Sequence, residues 1–198
     1  MKTVDFYFDF MSPYAYLAAT QLPRLTAQYP IQLVLHPIDL VAARRAAGNT
    51  GPFNRDIPPK MRYLMADLQR WAKRYTVPFT MPKGLDTARL NRGVLWARTQ
   101  NAEAERRYFH AAYTAVWGRG GDPADADLLR AVAQEAGLAA EACLSGVDSE
   151  PIVRAYAQEN QAAQARGVFG VPIFIVDEQM YWGNDRIEFL EEYLRSQP

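Results

Sequence analysis

The chain has 198 residues, 49% of them apolar and 22% charged, an ordinary globular balance and enough for one substantial domain or a domain with a large insertion. Lys plus Arg and Asp plus Glu number 22 each, so the formal net charge is zero and the basic excess of a nucleic-acid binder is absent. No apolar run is long enough for a bilayer, and Asp5 and Asp9 break any signal-peptide core, which points to a cytoplasmic protein without a membrane partner.

Residues 3–10 alternate, with Val4, Phe6, Phe8 and Phe10 on one face, and predict a strand. Ser12-Pro13 then reads as a helix start. The serine oxygen can accept an orphan backbone N–H, and proline has none to lose at the first helical position. Tyr14, Leu17, Ala18 and Leu25 follow at helical spacing, and Pro23 should kink that helix or end its regular part. Ile31 to Pro37 is a second strand, which suggests a right-handed βαβ unit.

From about Leu40 to Arg166 the pattern is helical. Met61, Leu64, Met65, Leu68, Ala72 and Tyr75 form one stripe. Leu128, Leu129, Val132 and Ala136 form another behind a cap at Asp125, and Ile152, Val153 and Tyr156 suit a third helix. Strands return at Pro172–Val176, with a turn at Asp177-Glu178-Gln179 and a hairpin partner at Met180-Tyr181-Trp182. A helix from Asp185 to Arg195 closes the chain. The plan is α/β: βαβ, a helical block, then ββα. It divides into a discontinuous thioredoxin-like domain, 1–39 with 167–198, and an inserted helical domain, 40–166.

In that plan the start of the first helix, Ser12-Pro13-Tyr14-Ala15, lies beside the loop before the third strand, Gly170-Val171-Pro172. The first segment resembles the Cys-Pro-X-Cys box of disulfide oxidoreductases with both sulfurs replaced, and Val171-Pro172 resembles the Val–cis-Pro step of the same fold. The helical block resembles DsbA rather than thioredoxin. More closely, the chain resembles the 2-hydroxychromene-2-carboxylate isomerases and their relatives, the kappa-class glutathione transferases. Six segments carry this resemblance: 5–13, 51–56, 67–71, 115–118, 168–172 and 181–186. Each is weak alone; six in order along the chain are not.

The resemblance implies glutathione as cofactor and a small, aromatic-derived substrate. Ser12 by itself is a plain helix cap. With the resemblance it is the catalytic residue that holds and orients a borrowed thiolate, because a helix N-terminus stabilises negative charge. Val171 offers its backbone to the cysteinyl part of glutathione. Asn184 and Asp185 hold the γ-glutamyl end, Asp185 at the amine, although the same residues also read as a cap and a first-turn acid. Lys60 resembles a glutathione-binding lysine of the kappa class, and Trp182 is expected to reach the site. Arg44, Asn54 and Arg55 face the substrate; the planar fork of Arg55 suits a carboxylate. Arg44 stands near a position where the isomerases are expected to carry lysine. A homodimer is implied in the same way.

Other features carry less. Trp71, Trp117 and Tyr181 are packing residues or pocket walls. His36 reads as a strand-end residue and His110 as helical, with no metal-ligand spacing, so no metal is expected. Cys143 reads as a small buried residue. The leading reading is therefore a glutathione-dependent cis–trans isomerase. A kappa-type transferase is the alternative, and a redox-dead thioredoxin-fold binding module stands further off. A disulfide oxidoreductase is disfavoured because neither box position carries sulfur.

Overall fold

The alternation at the amino terminus forms β1 (Lys2–Phe8) in the computed structural model, which describes residues 1–196. It pairs in parallel with β2 (Ile31–Pro37), Phe6 opposite Leu35, and antiparallel with β3 (Ile173–Val176), Phe6 opposite Phe174. β3 pairs antiparallel with β4 (Gln179–Trp182), giving one mixed sheet of order β2-β1-β3-β4. The β3–β4 connection is a two-residue turn at Asp177 and Glu178, φ 47° and 65°, the positive-φ pair that matches the twist of a tight hairpin. Gln179, expected in the turn, is already the first residue of β4.

Strand β1 is shorter than its alternation suggests. Asp9 and Phe10 leave the sheet, yet both are buried, as is Tyr7 on the opposite parity to Phe6 and Phe8. The first helical stretch is two helices, α1 (Pro13–Ala19) and α2 (Leu22–Gln28). The break at Thr20-Gln21 lies just before Pro23, whose ring would meet the carbonyl of Ala19 in a continuous helix.

The middle of the chain is α3 (Leu40–Ala46), a 3-10 turn (Asn54–Asp56), α4 (Pro58–Tyr75), α5 (Ala88–Gln100), α6 (Ala102–Tyr113), α7 (Ala126–Glu135), α8 (Ala140–Gly146) and α9 (Glu150–Ala165). Asp125 caps α7 by accepting from the Asp127 N–H at 2.9 Å. In α9, Ile152 is buried but Val153 is 44% exposed, so the expected stripe is narrower than written. A 3-10 turn (Asn184–Arg186) leads into α10 (Ile187–Ser196).

The core lies where α6 crosses β1. Phe8 meets Phe109 edge-on at 4.8 Å and Phe10 meets Tyr113 at 4.6 Å, all fully or almost fully buried. Each such ring contributes roughly 1.5–3 kcal/mol by leaving water. Helices α5 and α6 approach closely because Gly93 leaves room for the Tyr108 ring. Among the described residues no helix is long and apolar enough to cross a membrane.

Candidate functional site

The site starts at the loop that leaves β1. Residues 9–12 are buried, so their backbone groups need partners inside the protein. The Phe10 N–H donates to Asn91 Oδ1 at 3.3 Å, and the Phe10 carbonyl accepts from Trp117 Nε1 at 2.7 Å. The Asp9 carbonyl accepts from the Ser12 N–H at 3.0 Å and from the Tyr113 hydroxyl at 3.2 Å. Trp117 belongs to a π-helical turn, Thr114–Gly118, that continues α6 and swings the indole under the loop. Wide turns of this kind are frequent at functional sites.

Behind the loop, Asp9 is 2% exposed. Its Oδ1 accepts from the Met11 N–H at 3.0 Å, the Thr87 hydroxyl at 2.6 Å and Asn91 Nδ2 at 3.0 Å; its Oδ2 accepts from the Leu40 N–H at 3.0 Å. Burial pushes the carboxyl above its ordinary range, against the pull of those donors.

Ser12 takes the cap position of α1, with φ −97° and ψ 116°. Its Oγ accepts from the Ala15 N–H at 3.2 Å, which leaves the O–H free to donate into the cavity. The Val171–Pro172 bond is cis. The Pro172 carbonyl accepts from the Gly183 N–H at 2.9 Å, and Gly183 takes φ +110°, which favours glycine.

One cavity of about 770 Å³ brings the expected residues together. Ser12 and Val171 line it beside Trp182, Asn184 and Asp185, and Arg44, Asn54, Arg55 and Lys60 form another part of its lining. Part of the α4 stripe is a cavity wall: Met61, Leu64 and Leu68 line it, joined by Trp71 from outside the stripe, whereas Met65, Ala72 and Tyr75 do not. Trp117 touches the cavity too, but at 1% exposure it is mainly a support; Tyr181 is not among the lining residues.

The basic part of the lining is built around Phe53. The Arg44 guanidinium lies 3.8 Å from the ring centroid and that of Arg55 4.2 Å, so both cations gather around one aromatic side chain. Arg44 also donates to Asn49 Oδ1 at 3.1 Å and the Gly51 carbonyl at 3.3 Å, and Lys60 donates to Asn54 Oδ1 at 3.3 Å. Two acids share the lining with these bases and Arg186. Asp67 accepts from the Tyr14 hydroxyl at 2.8 Å, and Asp185 pairs with Arg186 at 2.6 Å. Burial, followed by the Asp67 bond, holds the Tyr14 phenol well above its usual range. Asn184 is 3% exposed and its Nδ2 has no partner, so it forms the floor of its corner. Trp182 is 56% exposed and stands edge-on to Phe169 at 5.0 Å, on the rim.

Sequence patterns did not single out Asp9, Thr87, Asn91 or the Tyr14–Asp67 pair as site residues. A buried acid at the end of an alternating strand reads as solvent-facing, and Asn91 lies 82 residues from its partner. Cys143 is buried in α8 and does not line the cavity, and burial pushes its thiol up to about 12, both of which argue against it as the site's nucleophile.

The model of a DSBA-like thioredoxin domain matches residues 3–195. A 2-hydroxychromene-2-carboxylate isomerase of Sphingobium xenophagum is 46% identical over 194 residues, covering 98% of each chain. A solved structure of 2-hydroxychromene-2-carboxylate isomerase superposes with a TM-score of 0.93 at 37% identity, over 98% of this chain and 95% of the other. Glutathione S-transferase kappa 1 of Homo sapiens is 28% identical over 98% of this chain and 91% of its own.

Proposed function

The chain belongs to the DSBA-like thioredoxin-domain family and, within it, to the 2-hydroxychromene-2-carboxylate isomerases, and we propose that it is an enzyme converting 2-hydroxychromene-2-carboxylate to trans-o-hydroxybenzylidenepyruvate with glutathione as cofactor. The observation that carries this reading is one cavity holding a free serine hydroxyl at a helix start together with a basic lining. That donor set fits a peptide-sized anionic thiol and a carboxylate substrate.

Glutathione, when bound, supplies a nucleophilic thiolate whose reversible addition lets the substrate's double bond rotate. The residues of this chain do the rest. Ser12 donates its O–H to the sulfur, and the positive end of α1 favours the ionised form. It is not itself the nucleophile, because no histidine lines the cavity to take its proton. The Val171 backbone pairs with the cysteinyl unit, Asp185 with the γ-glutamyl ammonium, and Asn184 supports that corner from below. Lys60 takes a carboxylate of the cofactor, and Trp182 covers it from the rim. Arg44, Arg55 and Asn54 hold the substrate carboxylate and stabilise charge that develops on the keto oxygen.

We read residues 40–166 as a helical insertion in a thioredoxin-like unit of 1–39 and 167–198, and the enzyme as a cytoplasmic homodimer of aromatic-hydrocarbon catabolism. Isomerisation of 2-hydroxychromene-2-carboxylate, followed by ultraviolet absorbance with and without glutathione, tests the reading. The expected result is a rate that requires glutathione. The likeness to the kappa transferase favours conjugation as the second reading. A stable glutathione conjugate with a chlorinated aromatic, and no isomerisation, would establish it instead.

A further inference from the structure

Asp9 is the buried acid for which the proposed chemistry has no use. Its side chain does not line the cavity, and among the described residues no lysine or arginine forms an ion pair with it. Burying a carboxylate without a counter-ion is costly unless hydrogen bonds replace its hydration. Here four donors do so, and they come from separate parts of the chain. Oδ1 binds the Met11 N–H, immediately before Ser12, and Oδ2 binds the N–H of Leu40, the first residue of α3. Thr87 and Asn91, at the start of α5, bind Oδ1 from behind.

Only a carboxylate can satisfy this arrangement. An asparagine has one accepting oxygen and would point an N–H donor at a second donor. The two backbone bonds also join the two halves of the cavity. Met11 leads into the cap that faces the sulfur, and the last turn of α3 carries Arg44.

We propose that Asp9 is a positioning residue of the site: a single carboxylate, anchored by Thr87 and Asn91, sets Ser12 and the Arg44 helix at a fixed separation. The inference rests on the reading of Ser12 as the sulfur cap and of Arg44 as a substrate contact. It assigns no chemistry to Asp9. It says that the distance between thiolate and substrate carboxylate is held by a residue that touches neither.

The test uses Asp9→Asn, Thr87→Val and Thr87→Ser in the full-length protein. Thr87 is buried and outside the cavity, so its variants alter the hold on Asp9 without removing a ligand contact. For each, kcat and the substrate KM are measured at saturating glutathione, corrected for folded fraction, and the bound thiol is titrated by its ultraviolet absorbance. Asp9→Asn is expected to raise KM about tenfold, the equivalent of one lost hydrogen bond, and to displace the thiol titration. Thr87→Val should act in the same direction more weakly, and Thr87→Ser should restore parental values. If Asp9→Asn does not fold, the Thr87 pair decides. Parental KM and thiol titration in the folded fraction of Thr87→Val and of any folded Asp9→Asn would reduce Asp9 to a structural residue and overturn the proposal. A parent protein that isomerises its substrate equally without glutathione would instead overturn the sulfur-cap reading, and this inference with it.

Discussion

Replacing Ser12 by alanine removes one oxygen with two separable duties. The first is structural. Ser12 Oγ accepts from the Ala15 N–H at 3.2 Å, and losing such a cap costs about 1 kcal/mol. In a chain of this size that lowers the thermal midpoint by roughly 2–4 °C. The second duty is toward the bound sulfur. A hydrogen bond to a charged group is worth about 1.5–3 kcal/mol, so its loss raises the thiol pKa by about 1–2 units. The thiolate fraction then falls by about ten- to a hundredfold at a pH below the parental pKa, and by less between the two values. A more basic thiolate is also a better nucleophile, with a Brønsted slope of about 0.4–0.5, so the net fall in rate near neutrality is roughly 3- to 10-fold. Above the raised pKa the variant should equal or exceed the parent. The assay is the rate of isomerisation against pH at saturating glutathione, beside an ultraviolet titration of the bound thiol. Superimposable profiles for parent and Ser12→Ala would refute the hydrogen bond to sulfur. A fall in rate that persists unchanged at alkaline pH would show that Ser12 acts on something other than thiol ionisation.

Tyr108 is fully buried and its hydroxyl has no partner, so Tyr108→Phe should keep or raise stability, by up to about 1 kcal/mol in urea unfolding. Gly93→Ala should lose about 1–3 kcal/mol by the same measurement, because its Cβ would fall 2.0 Å from that hydroxyl oxygen. His36 lies between Asp5 and Glu159, 3.0 Å from each, and stacks on Tyr7 at 4.6 Å. Burial pulls its pKa down, but the bonds to Glu159 and Asp5 together outweigh burial and raise it above 6.5. Its stabilisation is therefore complete below 6.5 and is lost as pH rises through the raised value; thermal midpoints against pH should show this slope, and His36→Gln should remove it. Cys143 should resist alkylation in the native protein, and Cys143→Ala should retain activity, since burial holds its thiol at about 12. Loss of isomerisation on native alkylation of that thiol would contradict an external source of sulfur.

Much of the molecule was legible from local signals, because local signals reflect local physics. Alternation at Val4, Phe6 and Phe8 gave β1, and Ser12-Pro13 gave the start of α1 with the expected bond to Ala15. Ile31–Pro37 appeared with the boundaries expected of it, and the apolar stripe on α4 was real. What that stripe faces was not local: several of its residues line a cavity. Val153 shows the same limit, since helical spacing allows a residue at the edge of a stripe to point either way.

The amino-acid sequence by itself determined the plan of strands around a helical block, the cap at Ser12, the lack of a cysteine at either end of the box and, through its resemblance, the family. These depend on neighbouring residues or on short segments that can be matched in order. Tertiary structure alone decided what surrounds the cap. The partners of the loop at 9–12, Asn91, Tyr113 and Trp117, lie about 80 to 110 residues away along the chain. They meet it only because α5 and α6 pack across the end of β1. Burial likewise turned Asp9 from an apparently solvated acid into a four-bonded anchor, since no periodicity records that a chain-distant helix will close over a strand end.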